Sequence, residues 1–306
     1  MRFSTTSALA LSLPLLPGAL AAAGNKGFAL GAVIGTSTQC KTTQDYENDF
    51  DAISAAGSKL VRIYAASQCN TAQNILPAAK TKGFKVVLGV WPDTPESLSA
   101  DKAALQQYVP QYPDQVYAVT VGSETLYRGN FTGPELLEKI NEVKAVLPKG
   151  TKVGTADSWN KYADGTADAV IKGGVDILLA NGFSYWQGSP ADNSSHVFFD
   201  DMMQALGHIQ SVSGSLDSIE FWSGESGWPT DGGSNYEAAL AGTANAAKFY
   251  QEGFCGLINW GVNAFYFEAF DEPWKAPAIG TNGEQEVETV WGAMTVDRKA
   301  KFNLAC

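Results

Sequence analysis

The chain has 306 residues, a formal net charge of −11, 45% hydrophobic and 17% charged residues, 8 Trp, 4 Cys and 2 His. That apolar and aromatic content specifies a packed core rather than a disordered chain, and the acidity excludes the basic footprint of a nucleic-acid binder. Two histidines leave little for a His-rich metal site or a His-centred triad, so neither metal nor cofactor is expected.

Residues 1–23 read as a secretory signal peptide. Arg2 supplies the positive start, and the apolar run 8–23 is short for a membrane span and broken by Pro14 and Pro17. Small residues at Ala19, Ala21 and Ala23 place cleavage near 21–23. The chain ends without an apolar tail, so no membrane anchor is expected. In a secreted protein, Cys40, Cys69, Cys255 and Cys306, which lack C-x-x-C spacing, favour two disulfides over a zinc site. Sequence alone leaves all three pairings open. The sequons at Asn130 and Asn193 are candidate glycan acceptors.

Along 24–306, β-rich runs alternate with helical patterns. The predicted strands are 27–34, 60–65, 85–91, 116–124, 151–158, 177–185, 219–228 and 263–270. Most are too apolar for a half-exposed sheet, which implies burial on both faces. Between the first two, 45–56 carries Tyr46, Phe50 and Ile53 at helical spacing and stops at Gly57. Thr132-Gly133-Pro134-Glu135 is a capping box opening a helix with Leu136, Leu137, Ile140, Val143 and Leu147 on one face, ended by Lys149-Gly150. A small-residue helix is predicted over 238–254. Eight β-then-α units predict a single-domain (β/α)₈ TIM barrel. A doubly wound sheet lacks its G-x-G-x-x-G turn after the first strand. In the barrel, Cys40 and Cys69 follow adjacent strands at the C-terminal rim. Cys255 precedes the last strand at the other rim, with Cys306 ending the final helix nearby. Cys40–Cys69 and Cys255–Cys306 is then the simple pairing.

Reacting groups in this fold come from the C-terminal ends of strands. Glu124 closes Val119-Thr120-Val121-Gly122-Ser123-Glu124, and Glu225 sits in Ser223-Gly224-Glu225-Ser226-Gly227-Trp228-Pro229. On the fourth and seventh strands, they can reach the mouth from facing sides. One glutamate at a strand end is usually an ion-pair or capping residue. Two in apolar surroundings point to use, because an unpaired buried carboxylate costs several kcal/mol. A carboxylate pair is the machinery of glycoside hydrolysis.

At these residues the chain resembles glycoside hydrolase family 17, the β-1,3-glucan-active barrels, and most of all their fungal cell-wall glucanosyltransferase branch. The resemblance is carried in order by Val61-Arg62-Ile63-Tyr64, Val121-Gly122-Ser123-Glu124, Gly224-Glu225-Ser226-Gly227-Trp228-Pro229, Phe270-Asp271-Glu272-Pro273-Trp274-Lys275 and Trp291-Gly292. It implies Glu124 as acid/base, Glu225 as nucleophile, and Glu272 and Lys275 at the active-site rim. An ion pair between the last two is the structural alternative. Relatives usually carry Asn before the acid/base, contacting the sugar 2-hydroxyl. Here Ser123 either does so through water or yields the role to another residue.

The expectation is a retaining enzyme with carboxyl groups about 5 Å apart; a separation near 9 Å would argue for inversion. Tyr64, Trp91, Trp159, Tyr185, Trp186, Trp228 and Trp274, at strand ends, are candidate sugar platforms, while mid-strand Trp222 is assigned to packing. The partners are β-1,3-glucan donor and acceptor chains, and the protein is expected to act as a secreted monomer in the cell wall. A glucanase that mainly hydrolyses and a non-catalytic glucan-binding barrel are the alternatives. An aldolase or phosphosugar isomerase would need a Schiff-base Lys or a phosphate loop, and a serine hydrolase G-x-S-x-G; neither pattern is found. His196 and His208 read as surface or helix residues.

Overall fold

The computed structural model describes residues 22–231, 235–279 and 285–306. The signal peptide expected at 1–23 lies outside them, apart from its last two positions. Eight strands form a closed parallel barrel in chain order: β1 (Lys26–Ala29), β2 (Leu60–Arg62), β3 (Lys85–Val90), β4 (Val116–Ser123), β5 (Val153–Ser158), β6 (Ile177–Asn181), β7 (Glu220–Ser226) and β8 (Asn263–Tyr266). The ring closes where Lys26, Gly27 and Phe28 of β1 pair with Ala264, Phe265 and Tyr266 of β8.

Around it lie α1 (Thr43–Ala55), α2 (Thr71–Lys82), α3 (Pro95–Tyr108), α4 (Gly133–Lys144), the short α5 (Trp159–Ala163) and α6 (Asp168–Lys172), α7 (Ser194–Ser213), α8 (Thr243–Phe249) and α9 (Cys255–Asn259). Strands Ala278–Ile279 (β9) and Gln285–Glu286 (β10) make a small antiparallel ribbon. The (β/α)₈ expectation holds, within one domain.

Period-two alternation explains the two cores. One set of strand residues points inward: Leu60, Val87, Ala118, Ala156, Ile177, Leu179, Trp222 and Phe265 fill the barrel. Trp222 stacks on Phe265 at 5.4 Å and its indole N–H donates to Glu220, so it packs, as its mid-strand position suggested. The alternate set meets the helices; Leu136, Ile140 and Val143 of α4 are buried there. Thr42, Thr94 and Thr132 each close a capping box, so three helices start where side-chain oxygens satisfy free N–H groups.

Two predictions need correction. Most predicted strands overran their C-terminal ends: 177–185 is a strand only to Asn181, and 263–270 only to Tyr266. The residues beyond stay apolar because they pack beneath the rim loops, as fully buried Tyr185 does, without joining the ladder. The helix predicted over 238–254 begins at Thr243 and continues as a wide turn to α9. Before it, the Leu240 carbonyl is taken by the Trp228 and Asn245 side chains, which holds 238–242 out of the helix.

Disulfides join Cys40 to Cys69 and Cys255 to Cys306. No helix among the described residues is long and apolar enough to cross a membrane. A cavity of about 1110 Å³ opens at the N-terminal face, lined by Lys26, Lys85, Tyr117 and Trp222 among others, with no Asp or Glu among its described lining residues. The paired glutamates Glu124 and Glu225 lie toward the other end, at the C-terminal ends of β4 and β7.

Candidate active site

Glu124 and Glu225 stand on strands whose pairing is irregular just where they emerge. The β4–β5 register shifts between Thr120 and Ser123. The β6–β7 register shifts at Ala180/Asn181 and then pairs Asn181 with Glu225, and β7–β8 shifts between Ser223 and Ser226. Such irregularities re-aim side chains at barrel rims. Glu124 also adopts φ +58°, after Gly122 at +84°. A left-handed glutamate costs about 1 kcal/mol, a strain found where the surroundings fix a functional geometry. Here the Glu124 N–H donates to Ala156 O at 3.0 Å, and its carbonyl accepts from the Arg128 N–H at 2.9 Å.

Arg62 of β2, fully buried, organises the floor of the mouth. Its Nη1 donates to Glu225 Oε1 and to the Gly224 carbonyl, both at 2.9 Å, and its Nη2 donates to Ser123 Oγ at 3.1 Å. Asn181 donates from Nδ2 to Glu124 Oε1 at 3.1 Å, and its Oδ1 makes a long 3.4 Å contact with Arg62 Nη1. Thus one guanidinium and one amide connect the two carboxylates. Any side chain at Gly224 would collide with this bridge, since its Cβ would lie 2.5 Å from Asn181 Oδ1. The Tyr64 ring packs 5.0 Å from the Arg62 guanidinium, and its buried hydroxyl, beside Glu225, lacks a fully formed hydrogen bond. Burial and the Glu225 charge hold that phenol well above its usual range.

The Glu124 carboxyl is pushed up to about 8, first by burial and then by the Glu225 charge, against the Asn181 donor. A carboxyl raised in this way beside an arginine-paired carboxylate is an arrangement that can serve an acid facing a nucleophile. Buried Asp157 supports the arrangement. It accepts from the N–H groups of Leu126, Tyr127 and Ser158 at 2.8–3.1 Å, pinning the loop that follows Glu124.

Glu272 and Lys275 do form an ion pair, at 3.5 Å, but within a larger cluster. Lys275 Nζ also lies 2.8 Å from Glu268 and 3.7 Å from Glu288. Burial holds the Glu268 carboxyl well above its usual range, opposed by Lys275. Among the described residues, no group of three or more His, Cys, Asp or Glu side chains is placed to hold a metal ion.

The aromatic candidates divide. Trp91, Trp159, Trp186, Trp274 and Tyr64 are half-buried. Trp91 carries the Arg128 guanidinium 4.6 Å from its ring centre, and the Trp274 indole N–H is buried without a partner. Trp228 and Tyr185 are corrected to core residues. Trp228 is fully buried, donates to Leu240 O at 2.9 Å and packs on Tyr185 and Phe249. Tyr185 is enclosed by Trp186, Trp228 and Trp291, leaving no ring face for a sugar. Trp186 stacks on Trp291 at 5.3 Å. Asn130, its amide donating to Asp93 at 2.8 Å, and Asn193, at the start of α7, are both exposed. Both histidines lie on α7, His208 paired with Asp168 at 2.8 Å.

Asp201 of α7 fastens the loop carrying these aromatics, accepting from Gln187 Nε2 at 2.6 Å. Burial pushes its carboxyl up to about 7. The folded state therefore holds this proton more tightly than the unfolded chain, whose Asp titrates near 3.9. Its contribution to stability is complete below about pH 4 and is lost as pH rises through about 7. Asp201→Asn should raise the melting temperature at pH 8, by about 3 °C for each kcal/mol relieved, and not at pH 4. Equal melting curves of both proteins at pH 8 would refute this.

Sequence reasoning missed Asn181, Asp157, Glu268 and Glu288, and Arg62 was read only as part of a motif. Polar residues within otherwise apolar strands, such as Asn181 and Asp157, were the available signal.

The family model of the BtgE/BtgC glycoside hydrolase domain matches residues 27–292. A glucan 1,3-beta-glucosidase of Arthroderma benhamiae is 58% identical over 306 residues, covering 100% of this chain and 98% of that protein. One from Saccharomyces cerevisiae is 45% identical, covering 100% and 99%. Among solved structures, the family 17 β-1,3-glucanosyltransferase of Rhizomucor miehei superimposes with a TM-score of 0.78 at 29% identity, over 92% of this chain and 97% of that one. An active-site mutant of that enzyme in complex with laminaritriose gives 0.76 at 30% identity, over 90% and 95%.

Proposed function

Because this chain belongs to the BtgE/BtgC glycoside hydrolase family, we propose that it is a retaining β-1,3-glucan-active enzyme that transfers the cleaved chain to a second glucan, with some hydrolysis. The observation that carries this reading is the pair Glu124 and Glu225 on facing strands, one carboxyl buried and raised to about 8 and the other paired with Arg62.

The steps follow from charge. Glu225 attacks the anomeric carbon while the glycosidic C–O bond breaks, and the leaving oxygen takes the proton of Glu124. The resulting ester removes the Glu225 charge that helped to keep Glu124 protonated. Glu124, now ionised, can take the proton of an incoming hydroxyl. That hydroxyl attacks the anomeric carbon, the ester breaks, and the configuration is retained. A carboxyl separation of about 5 Å belongs to this reading. Water gives hydrolysis and a glucan hydroxyl gives transfer.

An acceptor site is supported by the half-buried aromatics and by an unpartnered donor, the Trp274 N–H, suited to a sugar hydroxyl. The names of the curated relatives favour hydrolysis as the second reading. Mass analysis of products from a short laminari-oligosaccharide decides: products longer than the substrate establish transfer, and only shorter ones establish hydrolysis. Secretion to the cell wall, with Asn130 and Asn193 as glycan acceptors, is part of the proposal. The two disulfides, which belong to an oxidising compartment, support it.

The acid must be protonated before the first step, so kcat/KM should fall as pH rises through about 8, the range of Glu124. A pH–rate profile flat to pH 10 would remove Glu124 from the acid role.

A further inference from the structure

We propose that Asn181 is a positioning residue that decides which oxygen of Glu124 carries the transferred proton. The inference rests on Glu124 being the acid/base. Asn181 ends β6 and is buried, so its amide cannot choose its partners from solvent. A guanidinium only donates, and an amide offers one acceptor oxygen and one donor nitrogen. The Asn181 oxygen must therefore face Arg62, where it lies 3.4 Å from Nη1. The gap left by the missing side chain of Gly224 makes room for it. The Asn181 NH₂ is then compelled to face Glu124, donating to Oε1 at 3.1 Å. An oxygen that accepts an N–H is poorly placed to hold a proton of its own. Oε1 is thereby fixed as the carbonyl oxygen, and Oε2 carries the proton. Arg62, itself fixed by Glu225 and the Gly224 carbonyl, sets the direction of the whole chain of donors.

Asn181→Asp tests this at nearly constant shape. It keeps an acceptor for Arg62 but turns the group facing Glu124 from donor to acceptor, which draws the proton onto Oε1. The charged groups around Glu124 stay in place: Glu225 from β7, Asp157 from β5 and Arg128 from the loop after β4. Losing a donor and gaining a negative neighbour both disfavour the ionised acid, so the alkaline limb of the pH profile should move to higher pH. At its optimum, kcat/KM on a laminari-oligosaccharide should fall about 10²-fold, the low end of general-acid effects. An aryl glucoside with an acidic phenol as leaving group should lose far less, with KM little changed. Asn181→Ala, which removes the donor without adding charge, should move the limb the same way by less. It serves as the test if the Asp variant fails to fold.

Equal losses on both substrate types, or an alkaline limb unmoved in the folded variants, would overturn the proposal. Glu124→Gln in the same assays separates the two levels. If it too spares neither substrate, the acid/base reading fails and this inference with it. If it spares the aryl glucoside and Asn181→Asp does not, only the positioning role is lost.

Discussion

Glu225→Gln should abolish turnover on glucan and on aryl glucosides alike, by about 10⁴-fold or more, which corresponds to about 5 kcal/mol of activation free energy. The change is nearly isosteric, so it isolates charge. Gln can accept from Arg62 much as the carboxylate does at 2.9 Å, and the buried guanidinium keeps the Gly224 carbonyl and Ser123 as partners. What disappears is the proposed nucleophile: a neutral amide does not form the ester through which both steps would pass. A good leaving group cannot compensate, because leaving-group departure is not the missing component. Single-turnover measurements on a laminari-oligosaccharide and a dinitrophenyl glucoside, with circular dichroism to establish folding, provide the check. Substantial retained turnover on either substrate would assign the nucleophile elsewhere, and Glu288 would be the first place to look, since the Glu225 charge helps to raise its carboxyl.

Glu124→Gln should give the opposite pattern. It removes a transferable proton but leaves Glu225 paired with Arg62. On glucan, whose leaving alkoxide must be protonated, kcat should fall by about 10²–10⁴-fold. On a dinitrophenyl glucoside, whose phenol leaves unaided, the first step should survive and the glycosyl-enzyme should accumulate, because no base remains for the second. The alkaline limb near pH 8 should vanish with the group that causes it. Equal losses on both substrates, or a persistent limb, would remove Glu124 from the role. Together the two variants distinguish a missing nucleophile from a missing acid without any structure of a complex.

How much of this could be read from sequence depended on whether the signal was local. The barrel was legible because each strand is an apolar run and each unit repeats the same β-then-α grammar. Glu124 and Glu225 were legible because a carboxylate at the end of such a run is costly and hence conspicuous. The pairing of Cys40 with Cys69 followed from adjacent rim loops. Other features depend on contacts between distant strands. Asn181 acquires its meaning only from Arg62, 119 residues earlier, and from Glu124, 57 residues earlier. The cluster around Lys275 was half visible, since Glu272 lies in the same short segment while Glu288 lies beyond the β9–β10 ribbon. The aromatics at strand ends were over-read. Position at a rim does not say whether a ring faces out to a groove or inward under a loop, and Trp228 and Tyr185 face inward.

The register shifts beside Glu124 and Glu225 have a further consequence. On β4, β6 and β7 they lie late in each strand, close to the two carboxylates, above the layer that Leu60, Val87, Ala118, Ile177 and Trp222 pack together. The frame below is thus insulated from the workings above. A rim side chain such as Ser123 can change without renegotiating how the ring closes. The same insulation would let an engineer retune the top of the barrel while inheriting its foundation intact.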